Sequence, residues 1–360
     1  MSDSLYVHVP FCRSICAYCD FCRVGYQPDL ADRYLSELAR ELQQRFPEQP
    51  LKTIYIGGGT PTALNHQQLE KLLRLLQPYT KNISEYTIEI NPETVDETKI
   101  KLLVHYGINR VSIGVQTFDA ALLRLIERRH TPAQIKKVID QLHQAGIHNI
   151  SLDLMYGLPQ QSLSAFCHDV EKAAALRITH VSLYLLTIEP QAKFGRQHIR
   201  PANDELADEM YFNALSRLEQ KGFKQYEISN FAKDGYASQH NLAYWHYEDF
   251  SGIGLGASGK IGTMRYTNTT NFIKYFNHEY EQETVHNDRK SYLFELLMMG
   301  LRLKEGITLN DDTYRDIMEL YQEPLNQLVQ RGDLIIERNH FKTVGSAYFM
   351  LNDILLELLP

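Results

Sequence analysis

The order of strands and helices in the first half of the chain constrains its fold most strongly. Stretches rich in β-branched and aromatic residues predict six strands, at residues 5–10, 52–58, 85–91, 110–116, 149–156 and 180–187. Amphipathic helical patterns lie between them, for example at residues 29–46, 67–77 and 96–106. Strands separated by helices at this spacing indicate βαβ units around a parallel sheet. The chain is therefore predicted to be an α/β protein.

Polar residues recur at the carboxyl-terminal ends of these predicted strands. The second strand runs into Gly57-Gly-Gly-Thr-Pro-Thr62, the third carries Glu89, the fourth ends at Gln116 and the fifth carries Asp153. A single polar residue in such a strand more often hydrogen-bonds within the core, but α/β barrels build their active sites at this layer. The recurrence favours a partial (β/α)6 TIM-type barrel with a ligand site over a flat nucleotide-binding sheet.

Four of the five cysteines lie within eleven positions, directly after the first predicted strand, at Cys12, Cys16, Cys19 and Cys22. Clustered thiolates are soft ligands that select zinc, copper(I) or iron–sulfur clusters. A disulfide framework fits poorly, because the remainder of the chain holds only Cys167 and no secretory signal is expected. A structural zinc site uses a second, separated ligand pair, and no further CxxC occurs downstream of Cys22. The spacing favours an iron–sulfur site, whereas Cys167 is expected to be a small buried residue in a helix.

The composition is ordinary for a globular protein that works in water. Hydrophobic residues make up 44% and charged residues 22% of the chain, and no apolar run is long enough for a transmembrane helix. The formal net charge of −7 argues against nucleic acid as a partner. An oxygen-sensitive cluster and unpaired thiols predict a cytoplasmic protein, with peripheral contact at the inner membrane left open.

The chain departs from the strand–helix alternation beyond about Pro201. A long helix is predicted at residues 204–221, and helix-rich segments follow after about Tyr292. The stretches 333–337 and 341–343 predict a short hairpin, so the chain is expected to end in a small, mainly helical domain with a winged-helix-like segment. DNA binding by the wing is the alternative, but the acidic balance favours a lid or docking module.

These patterns predict a barrel domain at residues 1–230, a connecting segment at 231–290 and a C-terminal domain at 291–360. The connecting segment contains His240-Asn-Leu-Ala-Tyr244-Trp245, which holds the only tryptophan. Histidine is a usual axial ligand of heme iron, and flanking aromatic rings offer a flat apolar surface to a porphyrin. The alternative is a histidine that caps a strand end within an aromatic cluster of the core.

The spacing CxxxCxxC at Cys12, Cys16 and Cys19 resembles that of the radical S-adenosylmethionine (SAM) superfamily. The resemblance implies a 4Fe-4S cluster on three thiolates, with the fourth iron open to the amino and carboxylate groups of SAM. It further implies that an electron, from a donor such as flavodoxin or ferredoxin, cleaves the sulfonium bond and releases a 5′-deoxyadenosyl radical. Tyr18 matches the aromatic residue that this superfamily places near the adenine. Cys22 is expected to be a neighbouring free thiol, because a fourth thiolate would close the site to SAM.

The run GGGTPT narrows the resemblance to the HemN-like family, the relatives of oxygen-independent coproporphyrinogen III oxidase. By itself this run lacks the GxGxxG and GK[ST] patterns of nucleotide sites, and a tight turn would also explain it. The resemblance implies that Arg128 pairs with the SAM carboxylate, although a solvated helix charge is the alternative. The SAM contacts that it implies are Tyr6, Tyr18, Gly58, Gly59, Thr60, Glu89, Gln116, Arg128 and Asp153.

The HNxxYW sequence resembles the signature of the heme-chaperone branch of this family, HemW. That branch implies heme or porphyrin as cargo, heme contacts at His240, Tyr244 and Trp245, and delivery to heme-accepting respiratory proteins at the membrane. Two features are expected to distinguish the chain from the oxidases: the first strand is predicted to begin without the N-terminal extension that the oxidases carry, and Cys19-Asp-Phe-Cys22 replaces their CxC. The alternative is oxidative decarboxylation of coproporphyrinogen III, or another radical reaction on a tetrapyrrole. Catalytic residues, oligomeric state, the heme acceptor and whether SAM is cleaved or only bound stay open.

Overall fold

The computed structural model describes residues 2–359 and has the predicted α/β fold. The strands of its first half are Ser4–Val9 (β1), Phe11–Cys12 (β2), Val24–Gly25 (β3), Thr53–Gly58 (β4), Glu85–Ile90 (β5), Arg110–Gln116 (β6), Asn149–Tyr156 (β7) and His180–Leu185 (β8). The helices between them are Pro28–Arg45 (α1), His66–Leu76 (α2), Glu97–His105 (α3), Ala120–Leu125 (α4), Pro132–Gln144 (α5) and Leu163–Ala175 (α6). The six predicted strands are confirmed, and their ends move by at most two residues.

Six strands, β1, β4, β5, β6, β7 and β8, lie side by side in chain order and are all parallel. Parallel crossovers are right-handed, so a strand order that never reverses places every connecting helix on the same face of the sheet. A sheet covered on one face in this way curves into a barrel with its helices outside. The predicted partial barrel is confirmed.

The side chains of these six strands alternate between two environments, as the period of two in a strand requires. Outward-facing positions such as Val7, Ile56, Ile88, Val111 and Leu152 are fully buried and pack under the helices. The inward-facing positions, which border the barrel lumen, are mostly polar. They include Ser4, Tyr6, His8, Thr53, Tyr55, Glu85, Glu89, Arg110, Ser112, Ser151, Asp153, His180, Ser182 and Tyr184. The hydrophobic core therefore lies between sheet and helices, and the lumen is left for polar chemistry.

Later strands extend this sheet at both edges. The elements after β8 are Lys193–Arg196 (α7), Asp204–Gln220 (α8), Lys224–Glu227 (β9), Asn230–Ala232 (β10), Gln239–Trp245 (α9), Phe250–Ile253 (β11), Ser258–Ile261 (β12), Met264–Asn268 (β13), Phe272–Phe276 (α10) and Glu281–His286 (β14). Strand β10 pairs with β8, and β11 pairs with β1, so the sheet grows to 12 strands and stays open. Residues 231–290 thus add strands to the barrel sheet, and the domain boundaries at 230 and 290 remain predictions.

Helix α9 lies at the amino-terminal ends of the barrel strands, and we call it the floor helix. Glu85, the first residue of β5, accepts hydrogen bonds from Ser238 Oγ (3.0 Å), the Gln239 amide (2.9 Å) and the His240 amide (3.0 Å). The first amides of a helix have no partner within the helix, and a carboxylate satisfies them well. One buried side chain of the barrel therefore anchors the floor helix.

The chain ends in a small unit with its own hydrophobic core. Its elements are Arg289–Gly300 (α11), Ile307–Thr308 (β15), Asp311–Arg331 (α12), Leu334–Glu337 (β16), His340–Thr343 (β17) and Leu351–Glu357 (α13). The strands pair in the order β15-β17-β16, and Leu297, Ile317, Leu325 and Phe341 are completely buried in that core. This order of helix, strand, helix and hairpin is winged-helix-like, as predicted. Within residues 2–359 no helix is long and apolar enough to cross a membrane.

Candidate functional site

A cavity of about 340 Å³ opens at the carboxyl-terminal ends of the barrel strands, at the opposite end of the lumen from the floor helix. Small-molecule sites commonly enclose about 300–1,000 Å³. The predicted site residues that line it are Cys12, Cys16, Tyr18, Cys19, Gly58, Gly59, Thr60, Glu89, Gln116, Arg128 and Asp153. The structure therefore brings together residues from five barrel strands and their following loops.

The cysteine loop between β1 and α1 is held at several points. Strand β2 pairs with β3 across the loop, and the Cys19 amide donates to the Cys16 carbonyl at 3.2 Å. The Ala17 amide donates to the Ile126 carbonyl at 3.2 Å, so α4 and the cysteine loop are joined. These backbone bonds fix the loop so that three of its thiols border the cavity.

Cys22 is placed differently from the other three cysteines. Its carbonyl accepts a hydrogen bond from His8 Nε2 at 2.7 Å, and its side chain packs against Gly256, where a β-carbon would lie 2.8 Å from the Cys22 Cβ. It does not border the cavity. This position agrees with the expected neighbouring thiol, whose role stays a prediction.

The three cavity thiols are soft ligands that border one space. Among residues 2–359, no three Cys, His, Asp or Glu side chains converge as they would around one metal ion. Thr60 Oγ1 lies 3.8 Å from Cys12 Sγ and Arg128 Nη1 lies 3.6 Å from Cys16 Sγ, so each of these two sulfur atoms has a neighbouring hydrogen-bond donor. Burial raises the pKa of the Cys12 thiol to about 12, and a metal that binds the thiolate displaces that proton.

The glycine run at the end of β4 lets the chain pass close to the cysteine loop. A β-carbon on Gly59 would lie 3.0 Å from Cys12 Sγ and 2.9 Å from the Phe11 carbonyl oxygen. Gly58 has a φ of +112°, which disfavours any other residue, and its amide donates to Glu89 Oε2 at 3.2 Å. The glycine run therefore brings the end of β4 close to β2, which contains Cys12, in addition to forming a turn.

Two carboxylates, from β5 and β7, line the lumen wall of the cavity. Glu89 accepts from the Tyr55 hydroxyl at 2.8 Å, and Asp153 accepts from Ser112 Oγ at 3.1 Å. Burial, together with the neighbouring Asp153 charge, raises the pKa of Glu89 to about 7. Burial also raises the pKa of Asp153. A cationic ligand would relieve this repulsion, because it favours the ionised form of both groups.

Arg128 supplies the positive charge of the cavity. Its guanidinium donates to Asn91 Oδ1 at 2.7 Å and to the Gly114 carbonyl, while its Nε has no partner within residues 2–359. Although burial opposes it, the neighbouring Cys16, Tyr18 and Glu93 raise the pKa of this guanidinium. Arg128 is therefore not a solvated helix charge: it follows α4 and faces the cavity, where it can pair with a carboxylate.

Gln116 reaches the cavity through an irregular strand end. The register of β6 against β7 shifts between Gly114 and Gln116, and Gln116 adopts a φ of +68°. Such a bulge redirects a side chain at the rim of a barrel. A left-handed glutamine costs conformational energy, and strain of this kind clusters at ligand sites.

Tyr6 is the one implied SAM contact that does not border the cavity. It lies deeper in the lumen, where its hydroxyl and His8 Nδ1 are 3.0 Å apart and its ring stacks on Tyr55 with 6.1 Å between centroids. Its contact with SAM stays a prediction.

The three heme candidates lie on the floor helix, away from the cavity. His240 is 1% exposed, and both of its ring nitrogens are hydrogen-bonded, Nδ1 to Thr53 Oγ1 and Nε2 to the Tyr244 hydroxyl, each at 2.7 Å. Trp245 lies 4.7 Å below the guanidinium of Arg302. Heme contact by His240 stays a prediction, and it requires the floor helix to move, because neither ring nitrogen is accessible here.

Sequence reasoning did not identify several residues of the site. Tyr55 and Ser112 orient the two carboxylates, Asn91 bonds Arg128, and Met155 and Tyr184 add apolar surface to the cavity. The signal that would have found most of them is the strict alternation of polar and apolar residues along each barrel strand.

The chain resembles known proteins over nearly its whole length. Residues 6–173 match the model of the radical SAM superfamily, and residues 287–343 match that of the HemN C-terminal domain. The heme chaperone HemW of Lactococcus lactis is 36% identical over 98% of this chain and 96% of its own length. The HemW proteins of Bacillus subtilis and Escherichia coli are 38% and 33% identical, over 91% and 98% of this chain and 92% and 97% of their own lengths.

One solved structure, the coproporphyrinogen III oxidase HemN of Escherichia coli, described as a radical SAM enzyme, superposes with a TM-score of 0.87. It is 22% identical, and the match covers 99% of this chain and 89% of the oxidase. At this identity the likeness confirms the fold, including the C-terminal unit, and nothing beyond the fold.

Proposed function

Because the chain belongs to the radical SAM superfamily and, within its HemN-like family, to the HemW branch, we propose that it is a heme chaperone. In this proposal it holds a 4Fe-4S cluster and SAM in the barrel cavity, binds heme, and delivers the heme to respiratory proteins at the membrane. The observation that carries the cofactor part is the convergence of three thiols, two carboxylates and one guanidinium on a single cavity.

Each group in the cavity has a role that its chemistry suggests. Cys12, Cys16 and Cys19 would hold three irons of the cluster, and the missing fourth thiolate leaves one iron for the amino and carboxylate groups of SAM. Arg128 would pair with the SAM carboxylate. Glu89 and Asp153 would accept hydrogen bonds from the amino group or ribose hydroxyls and balance the sulfonium charge. When bound, the reduced cluster supplies the electron that can cleave SAM.

The fit of these residues to the two cofactors is supported by geometry as well as by charge. Gly59 packs so closely on the cysteine loop that a β-carbon there would clash with Cys12 Sγ and the Phe11 carbonyl, and the buried Arg128 Nε still lacks an acceptor among residues 2–359. An anionic group that enters the cavity would complete the bonding of Arg128. The cavity is thus shaped for a ligand with both a carboxylate and a cationic part.

Heme binding and delivery are supported by the relatives, which are heme chaperones by name. We further propose that the protein works in the cytoplasm, takes electrons from a flavodoxin- or ferredoxin-type donor, and contacts its acceptor peripherally at the inner membrane.

The test is an anaerobic assay on the reconstituted full-length protein. With dithionite, SAM and heme, the chaperone should bind heme, seen as a Soret band, and pass it to heme-depleted respiratory membranes. With coproporphyrinogen in place of heme, no protoporphyrinogen should form. Formation of protoporphyrinogen would contradict the chaperone function in favour of oxidative decarboxylation, and 5′-deoxyadenosine measured in parallel reports whether SAM is cleaved.

A further inference from the structure

The floor helix carries a sequence signature that does not reach the cofactor cavity, yet it is connected to that cavity through the lumen. We propose that His240 and Tyr244 are positioning residues: they hold Tyr55, and through it the Glu89 carboxylate, in the arrangement that binds SAM. This inference rests on the proposed SAM site and gives the histidine a role other than that of a heme ligand.

The bonding of His240 defines its protonation state and its orientation. Thr53 Oγ1 donates its one proton to Ser4 Oγ at 2.9 Å, so at 2.7 Å it accepts from His240 Nδ1. Nε2 of a neutral ring is then an acceptor, and it receives the Tyr244 hydroxyl at 2.7 Å. Burial, with the charge of Arg110, lowers the pKa of His240 to about 3, so the ring is neutral. Both ring positions are fixed by directional bonds.

The histidine ring supports the next aromatic ring of the lumen. Tyr55 stacks on His240 with 5.4 Å between centroids and an interplanar angle of 29°. Tyr6 stacks on Tyr55 at 6.1 Å, also at 29°. Because protein interiors are close-packed, removal of the imidazole leaves a void beside Tyr55 into which its ring can tilt. The orientation of Tyr55 therefore depends on His240.

Tyr55 in turn sets the position of a cavity residue. Its hydroxyl donates to Glu89 Oε1 at 2.8 Å, and the Gly58 amide donates to Glu89 Oε2 at 3.2 Å. These two bonds orient the carboxylate from opposite sides. If Tyr55 tilts, Glu89 keeps only the longer bond and can rotate, so the ligand meets a carboxylate that is no longer held in place.

The anchoring of the floor helix makes this support rigid. Glu85 binds three donors at the start of the helix, and Trp245 at its end stacks against Arg302, just beyond α11 in the C-terminal unit. The helix thus presents His240 and Tyr244 to the lumen while its last residue contacts the C-terminal unit.

A double-mutant cycle on the affinity for SAM tests the proposal. We compare the reconstituted wild-type protein with His240→Ala, Tyr55→Phe and the double variant, after equal cluster content is confirmed from iron and sulfide. Tyr55→Phe keeps the ring and loses only the hydroxyl, so it still tests the hydrogen bond to Glu89 if His240→Ala folds poorly. Each single variant should weaken SAM binding on the order of tenfold, as loss of a hydrogen bond to a charged group does. The double variant should bind SAM as tightly as the single variant with the lower SAM affinity, because both substitutions remove the same support.

His180→Ala is the matched control. His180 is also completely buried in the lumen and also uses both ring nitrogens, with Ser151 Oγ at 2.7 Å and the Tyr226 hydroxyl at 3.0 Å, but it does not stack on Tyr55. Its removal should leave the SAM affinity within about twofold of the wild type. The pH dependence of SAM binding is a second readout. Loss of the Tyr55 hydrogen bond disfavours the ionised form of Glu89, so the SAM affinity should reach its maximum at a higher pH than in the wild type, and only in His240→Ala and Tyr55→Phe.

The outcomes separate this inference from the proposed function. Unchanged SAM affinity in His240→Ala, additive losses in the double variant, or an equal loss in His180→Ala would overturn the positioning role. Loss of heme binding in His240→Ala with SAM affinity intact would also overturn it, make the histidine a heme ligand, and leave the proposed function standing. A wild-type protein that holds the cluster without binding SAM would overturn the proposed function and the inference together.

Discussion

Replacement of Gly59 by alanine tests whether glycine is required here because the chain packs closely against residues 10–12. An alanine β-carbon there would lie 3.0 Å from Cys12 Sγ, 2.9 Å from the Phe11 carbonyl oxygen and 2.9 Å from the Pro10 carbonyl carbon. Nonbonded atoms prefer about 3.5–4.0 Å, and two of these three neighbours are backbone atoms. Displacement of Cys12 Sγ relieves only one of the three contacts, so the backbone at Pro10 and Phe11 must also shift, and Cys12 moves with it. Overpacking of this kind costs about 1–3 kcal/mol, and we expect most of it to appear as cluster affinity weakened roughly 5- to 150-fold.

The assay is retention of iron and sulfide by anaerobically reconstituted protein during titration with an iron chelator. Gly25→Ala is the matched control, because Gly25 lies in β3 at the end of the same loop and a β-carbon there would meet nothing within 4 Å. Neither glycine has a positive φ, so the comparison isolates steric contact from backbone strain. Gly25→Ala should retain its cluster as the wild type does. Equal retention in Gly59→Ala would refute the reasoning.

Two further predictions follow from the same cavity. Alanine at Cys12, Cys16 or Cys19 should abolish cluster assembly, whereas alanine at Cys22 should leave the iron content unchanged; loss of iron in the Cys22 variant would show that the ligand set is wrong. The raised pKa of Glu89, about 7 without ligand, should make the metal-free protein lose stability as pH rises, because the benefit of the neutral form is present at low pH and lost as the pH passes about 7. Urea unfolding from about pH 5 to about pH 8 should therefore show the wild type falling by about 2–3 kcal/mol relative to Glu89→Gln, and parallel curves would contradict this assignment.

The parts of the site that were predictable from sequence are local in the chain. Cys12, Cys16 and Cys19 lie within one loop, so their spacing alone indicates a shared metal site. Glu89 and Asp153 were predictable because parallel barrel strands bring their carboxyl-terminal ends to one edge, whatever the loops between them do.

The position of the HNxxYW helix was not predictable in this way. It depends on Glu85, which lies 153 residues before Ser238 in sequence and satisfies the first amides of the helix. Nothing in the local pattern of the motif reports that partner. Tyr55 was missed for a related reason: tyrosine is a common strand residue, and its role depends on what lies beneath it in the lumen.

The strands of the segment 231–290 were also not predictable from the local sequence. Its strands are short and rich in glycine and small residues, for example Phe250–Ile253 and Ser258–Ile261, and such stretches are typical of loops when taken alone. Phe250–Ile253 forms a strand because it pairs with β1, which lies about 250 residues earlier in the chain, and Ser258–Ile261 then pairs with Phe250–Ile253. Long-range pairing of this kind overrides local propensity.

Mössbauer spectroscopy of anaerobically reconstituted protein, recorded before and after addition of SAM, tests the central claim most directly. A cubane held by three cysteines should give a 4Fe-4S spectrum in which one iron site changes when SAM binds and the other three do not. A protein that contains zinc in place of iron, or a cluster whose four sites are all indifferent to SAM, would contradict the account.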